Sequence, residues 1–202
     1  MDKIVRKIER EKGDRILTYN FTTYPVIFDR STRFLDQNKD RPNLILLLDF
    51  LAEAFVHGMQ ERRKSPSESP EKLIETTHVT GHPLSKYAAK SGYMGMGNRQ
   101  HPIAQNYLLD HCPEAIAIEV PVWEGEEEDE NAESGCIDVI LYYPENDHVG
   151  VWDLKPKAAA ERTASAQVHD YVRLFMQRSC ISRSSIIAGY FDDKDCYVLP
   201  PY

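Results

Sequence analysis

The sequence predicts an α/β fold, a central sheet flanked by helices, and three observations carry that expectation. Ile116–Val122, Cys136–Tyr143 and Val149–Leu154 are dense in Val, Ile, Leu and Tyr and read as strands. Pro42 to Arg63 reads as a helix, with Pro42 suited to its first turn and Leu44, Leu47, Leu48, Leu51, Ala54 and Phe55 forming a wide apolar stripe. A second long helix is predicted from Ala158 to Arg178, and the short runs Ser184–Tyr190 and Cys196–Leu199 would close the sheet. With 202 residues, 42% of them hydrophobic, the chain is one domain with an elaborated end and enough apolar side chain for a true core.

The remaining elements follow in order. Residues 1–12 mix charges with Ile4, Val5 and Ile8 and predict a short amphipathic helix, and Leu17 to Phe28 has strand composition. Ser65-Pro66-Ser67-Glu68-Ser69-Pro70 is the best internal boundary. It separates a mainly helical N-terminal extension, 1–70, from a core, 71–202. Glu71 to Thr76 predicts a further helical turn. Lys86 to Gly97, with Gly92, Gly95 and Gly97, reads as an exposed, mobile approach to a helix at Pro102–His111, whose Ile103, Tyr107 and Leu108 would face inward. Pro144-Glu145-Asn146-Asp147-His148 has hairpin composition.

No apolar run reaches membrane-spanning length, and the N-terminus lacks the apolar stretch of a secretory signal. Four scattered Cys without a framework suit a reducing cytoplasm, and no membrane partner is expected. The net charge of −8 argues at first against a nucleic-acid binder. The charge is uneven, however. Residues 1–70 hold 13 Lys/Arg against 11 Asp/Glu, while His101 to Leu154 holds no Lys or Arg and 14 Asp/Glu. The run Glu124-Gly125-Glu126-Glu127-Glu128-Asp129-Glu130 opens an acidic loop, 124–133, that reads as a solvated hairpin tip or as the contact for a basic protein partner.

Within the acidic stretch, Asp138 and Asp153 stand on apolar strands joined by the predicted hairpin. A carboxylate is costly to bury unless something pairs with it, and a divalent cation between two of them is the cheapest solution. Lys155 lies two residues beyond Asp153, so strand alternation places both on one face. Two carboxylates and an ammonium on one sheet edge suit metal-dependent phosphodiester hydrolysis. Each residue also has a plainer reading: an Asp capping a turn, a surface Lys at a strand end.

Gly135-Cys136-Ile137-Asp138, Asp153-Leu154-Lys155 and Gln167-Val168-His169-Asp170-Tyr171, in that order, resemble the P-D-(D/E)-x-K nuclease superfamily, and within it the RecB-like branch with its CRISPR-associated exonucleases. Gly97-Asn98-Arg99-Gln100-His101 is similar to the branch's Gly-then-His segment. The likeness covers roughly residues 95 to 200. It implies a restriction-endonuclease-like core with a central mixed sheet and a Mg²⁺- or Mn²⁺-dependent deoxyribonuclease acting on single-stranded DNA or DNA ends. It also implies a catalytic set of Asp138, Asp153 and Lys155, with metal ligands Asp138, Asp153, the Leu154 carbonyl, His101 through neutral imidazole, and Glu119. Gln167 and Tyr171, four apart on one helix face, would position DNA or brace the catalytic strand.

Further DNA contacts would come from Lys86, Lys90, Arg99, Lys157 and Arg162, with Tyr93 stacking on an unpaired base. Pro156 follows the Lys, where relatives often have a small residue. The Cys at 112, 136, 180 and 196 lack cluster spacing and none precedes His101, so no iron–sulfur cluster is expected. Two alternatives stay open: a non-catalytic nucleic-acid or protein-interaction module on the same fold, and a junction-specific endonuclease, which would require a homo-oligomer.

Overall fold

One parallel strand pair in an otherwise antiparallel sheet sets the architecture. In the computed structural model the described residues are 4–12, 15–23, 38, 40–57, 74–93, 101–124 and 133–201. They form β1 (Ile4–Lys12), β2 (Arg15–Thr23), α1 (Pro42–His57), β3 (Thr77–His78), α2 (Pro83–Lys90) and α3 (His101–His111). Then come β4 (Ala115–Trp123), β5 (Ser134–Tyr143), β6 (His148–Leu154), α4 (Ala164–Ser179), β7 (Ile186–Phe191) and β8 (Cys196–Val198). Single 3₁₀ turns stand at Ala158–Ala160 and Arg183–Ser185.

The sheet order is β1-β2-β4-β5-β6-β7-β8-β3. Its six strands from β4 to β3 are extended at one edge by the β1–β2 hairpin, through the pair Phe21–Ala117. Strands β6 and β7 run parallel, from Val149–Ile186 to Leu154–Phe191. A parallel pair cannot be joined by a tight turn, so the chain crosses over between them, and the crossover carries α4.

Helices cover both faces. Helices α1 and α4 share one apolar layer with Ile140 and Tyr142 of β5, whereas α2 and α3 share the other with Val139 and Leu141. Successive β5 residues thus alternate between two cores, as strand geometry requires. The predicted hairpin turn also seats α1. Tyr142 donates its hydroxyl to Asp147 Oδ1 at 2.7 Å, and Asp147 Oδ2 accepts the Asn43 backbone N–H at 3.3 Å. A carboxylate at the first turn complements the positive end of the helix.

The structure corrects several expectations. Residues 4–12 form a strand, not a helix, so the described part of 1–70 is not mainly helical. All nine residues pair with β2, from Ile4–Thr23 to Lys12–Arg15, and these bonds outweigh the helical preference of so short a segment. The strand predicted from Leu17 starts at Arg15, and residues 24–28 lie outside the described residues. The helix predicted to Arg63 is described to His57. Residues 74–76 are not helical, and 71–73 lie outside the described residues.

The long helix predicted from Ala158 is instead a 3₁₀ turn at Ala158–Ala160 followed by α4 from Ala164, and the Ala158 N–H donates to Asp192 Oδ2 at 2.7 Å. Ile103 is exposed, since the inward stripe of α3 runs through Ala104, Gln105, Leu108 and Leu109. Among the described residues no helix is long and apolar enough to cross a membrane.

Gly189 makes the β6–β7–β8 packing possible. A Cβ there would overlap the Tyr197 backbone carbonyl and come within 2.7 Å of the Trp152 ring. Gly189→Ala is therefore expected to cost about 1–3 kcal/mol through overpacking. For a chain of this length that is a fall of about 2–4 °C in melting temperature per kcal/mol, read by thermal unfolding.

Candidate active site

Three acidic residues lie abreast on three neighbouring strands. Ile118 pairs with Val139 and Val120 with Ile137, which sets Glu119 of β4 opposite Asp138 of β5. The β5–β6 ladder ends at Val139–Trp152, and the next step along both strands sets Asp138 opposite Asp153. Asp138 is 8% and Asp153 4% exposed. Helix α3 reaches this row from one side and α4 from the other.

Where the ladder stops, the Asp138 side chain replaces it. Its Oδ2 accepts the Leu154 backbone N–H at 2.7 Å, a bond that a backbone carbonyl would otherwise receive. Its Oδ1 and its own carbonyl both accept from Gln105 Nε2, at 3.3 Å each. Burial holds the Asp138 carboxyl well above the usual carboxylate range, and the charges of Asp153 and Glu119 push it further. A proton shared with Asp153 favours the neutral form, while the Leu154 N–H opposes it.

Asp153 is met by Lys155, whose Nζ lies 2.5 Å from Asp153 Oδ2. The contact is an ion pair and not a well-directed hydrogen bond, for the same oxygen is buried with no hydrogen-bond partner. Lys155 Nζ donates to Gln167 Oε1 at 2.6 Å, and Gln167 Nε2 lies 2.6 Å from Tyr171 Oη. Tyr171 is itself buried, with its ring against Gly135, where a Cβ would overlap it. Gln167 and Tyr171 are thus braces for the lysine. Of the two roles expected for them, the geometry places them as braces: the half-buried Gln167 engages its amide with Lys155 and Tyr171, and Tyr171 is buried.

His101 opens α3 with its ring beside the carboxylates. Nδ1 is 3.9 Å from Asp138 Oδ2, and Nε2 is buried with no partner. Burial lowers its pKa, with Lys155 adding to that and the charges of Asp153 and Glu119 opposing it, so the neutral form dominates.

Glu119 has a left-handed backbone, φ 53°, within β4. A non-glycine residue held there costs on the order of 1–3 kcal/mol and persists only where its surroundings fix it. Gln105 Nε2 donates to Glu119 Oε1 at 2.5 Å, and Cys136 Sγ lies 3.3 Å from Oε2.

The other predicted site residues part company. Leu154 enters through its backbone N–H, and its side chain is buried. Tyr93 is 2% exposed, with its ring 6.0 Å from that of His101, so it cannot stack on a base. It is drawn into the α2–α3 core with Leu84, Ala88 and Leu108, which offsets the polarity of its glycine-rich surroundings. Lys86 and Lys90 are exposed on α2, and Lys157 and Arg162 are exposed on the turn after Lys155. Arg99 lies outside the described residues, as do positions 125–132 of the acidic loop. The loop's two ends, Glu124 and Glu133, both pair with Arg173 of α4.

Two residues that hold the site together were not expected from the sequence. Gln105 stands four residues after His101, one helical turn along the same face, and that spacing was the available signal. Asp192 opens the run Asp192-Asp193-Lys194-Asp195. Its Oδ1 accepts the Lys194 and Asp195 N–H groups at 2.7 Å each, while Oδ2 holds Ala158. It anchors the segment that follows Lys155.

Among the described residues no group of three or more His, Cys, Asp or Glu is arranged as a ready-made metal cage. Mg²⁺ asks for less: one or two carboxylates, with water completing its shell. Two adjoining buried carboxylates whose charges oppose each other fit that demand. The ring of His101 approaches them through Nδ1, 3.9 Å from Asp138 Oδ2, and its Nε2 is a buried nitrogen without a hydrogen-bond partner. Comparison with protein-family models, with curated proteins and with solved structures gave no match.

Proposed function

We propose that the chain is a divalent-metal-dependent nuclease that hydrolyses phosphodiester bonds of DNA, with Asp138, Asp153 and Lys155 at its centre. The observation that carries the reading is the buried Asp138–Asp153 pair with Lys155 locked onto it from α4. A structural core has little use for two like charges placed side by side, and their mutual cost is removed when a cation is shared.

Asp138 and Asp153 would hold Mg²⁺ or Mn²⁺, with the Leu154 carbonyl and a neutral His101 beside them. Such an ion supplies Lewis-acid chemistry, acidifying a water and neutralising charge on the phosphate. Lys155 is ion-paired with Asp153 and donates one of its three ammonium hydrogens to Gln167. A further hydrogen remains for a water or a phosphate oxygen. Because Gln167 and Tyr171 fix the ammonium in advance, it needs no reorganisation as negative charge builds on the phosphate. Exposed Lys86, Lys90, Lys157 and Arg162 would attract the polyanion that the acidic sheet repels. The choice of single-stranded or end-containing DNA rests on the family resemblance.

A non-catalytic module is the second reading, favoured by one observation: Asp138 already has a structural task in receiving the Leu154 N–H. One experiment separates the two. Labelled single-stranded, duplex and branched DNA is incubated with the chain in Mg²⁺, Mn²⁺ or EDTA, and thermal unfolding is followed with and without each ion. The nuclease reading expects cleavage with metal, none with EDTA, and a rise in melting temperature with Mg²⁺. Neither cleavage nor a thermal shift would leave the module, and cleavage of branched DNA alone would point to a junction endonuclease.

A further inference from the structure

The row Glu119–Asp138–Asp153 contains two gaps between carboxylates, and they are filled differently. Asp138 and Asp153 meet directly, side chain to side chain. Between Glu119 and Asp138 stands the carboxamide of Gln105, its Nε2 2.5 Å from Glu119 Oε1 and 3.3 Å from Asp138 Oδ1. Given the metal-dependent reading above, we propose that Gln105 is a positioning residue that limits the site to a single divalent cation, held on the Asp138–Asp153 side.

The donor geometry supports this. A second cation serving Glu119 and Asp138 would have to sit where Gln105 Nε2 now stands, its two hydrogens divided among Glu119 Oε1, Asp138 Oδ1 and the Asp138 carbonyl. The amide holds both carboxylates without contributing charge, so it satisfies them while excluding an ion. Gln105 is 1% exposed on α3, between Ala104 and Leu108 of the α2–α3 core, and has no open side to swing toward. Glu119 is fixed from its other end as well, by its left-handed backbone and by Cys136 at Oε2. Two-metal hydrolases place their ions about 3.5–4 Å apart and need ligand oxygens around both. Here one of those positions belongs to a nitrogen that donates. A glutamate at 105 would put a ligand oxygen where the donor nitrogen stands and add a negative charge.

The test counts Mn²⁺ ions bound per full-length chain, by titration calorimetry and by electron paramagnetic resonance, and needs no turnover. The wild type is expected to bind one ion, Gln105→Glu two, and the exchanged pair Gln105→Glu with Glu119→Gln one again. If Gln105→Glu does not fold, Gln105→Ala replaces it: removing the amide opens the same gap without adding charge, and two ions are again expected. A wild type that binds two ions overturns the role of Gln105 while leaving the nuclease reading standing. So does a folded Gln105→Glu or Gln105→Ala chain that still binds one, or an exchanged pair that binds two. A wild type that binds none overturns the metal-dependent reading itself, and the role of Gln105 with it.

Discussion

Lys155→Ala is expected to lower the cleavage rate about 10²–10³-fold, the usual loss when a preorganised charge-stabilising donor is removed. Mn²⁺ binding should stay as strong or strengthen, because a positive charge has left the neighbourhood of the ion. The same change strands Asp153, which is buried and whose ionic partner is Lys155. An unpartnered buried carboxylate costs roughly 3 kcal/mol. The variant should therefore melt well below the wild type in EDTA and recover most of the difference in Mg²⁺. Gln167→Ala removes the tether and keeps the ammonium, so its rate should fall between the two. Single-turnover cleavage and melting curves with and without Mg²⁺ check these expectations. Unchanged turnover in Lys155→Ala would remove the lysine from the chemistry.

Asp138→Asn should abolish cleavage yet stabilise the metal-free chain at neutral pH. Asparagine still offers an oxygen to the Leu154 N–H but carries no charge into the row. The sign follows from linkage. The folded pKa of Asp138 is raised, so between the ordinary carboxylate value and that raised value the folded state holds a proton that the unfolded state has released. Wild-type stability is intact below that window and falls as pH rises through it. Asp138→Asn lacks this loss, so its advantage in EDTA should widen from acid toward neutral pH and shrink when Mg²⁺ is added. Parallel melting temperatures for the two chains across that range would show that Asp138 is not strained by its neighbours.

The strands carrying Asp138 and Asp153, and the hairpin between them, were legible because apolar runs of strand length flanked a turn of unmistakable composition. That Gln167 and Tyr171 share a face was legible through periodicity, since they lie one helical turn apart, but their contact with Lys155 was not, because it joins a helix to the end of a strand twelve residues away. Residues 4–12 form a strand and not the expected helix for a physical reason. Ile4 and Ile8 are four apart, a spacing that shares one face in a helix and equally in a strand. Pairing with residues 15–23 decides the matter, and pairing is not local. Tyr93 was misread because three nearby glycines suggest exposure, whereas its burial depends on α3 arriving from beyond it. Gln105 carried a weak signal for the same reason: a buried amide becomes meaningful only when two other strands supply the carboxylates it bridges.

The bond from the Leu154 amide to Asp138 Oδ2 has a consequence outside catalysis. It places a peptide proton 2.7 Å, donor to acceptor, from the group whose charge governs the site. The nitrogen–proton resonance of Leu154 is accordingly a built-in reporter. It will move when Asp138 gains or loses its proton, and again when a cation competes for the same oxygen, without a label at either carboxylate. Because the amide is buried in β6, its exchange with solvent deuterium will also time how often the β5–β6 junction opens. One backbone signal thus records protonation, occupancy and breathing of the candidate centre.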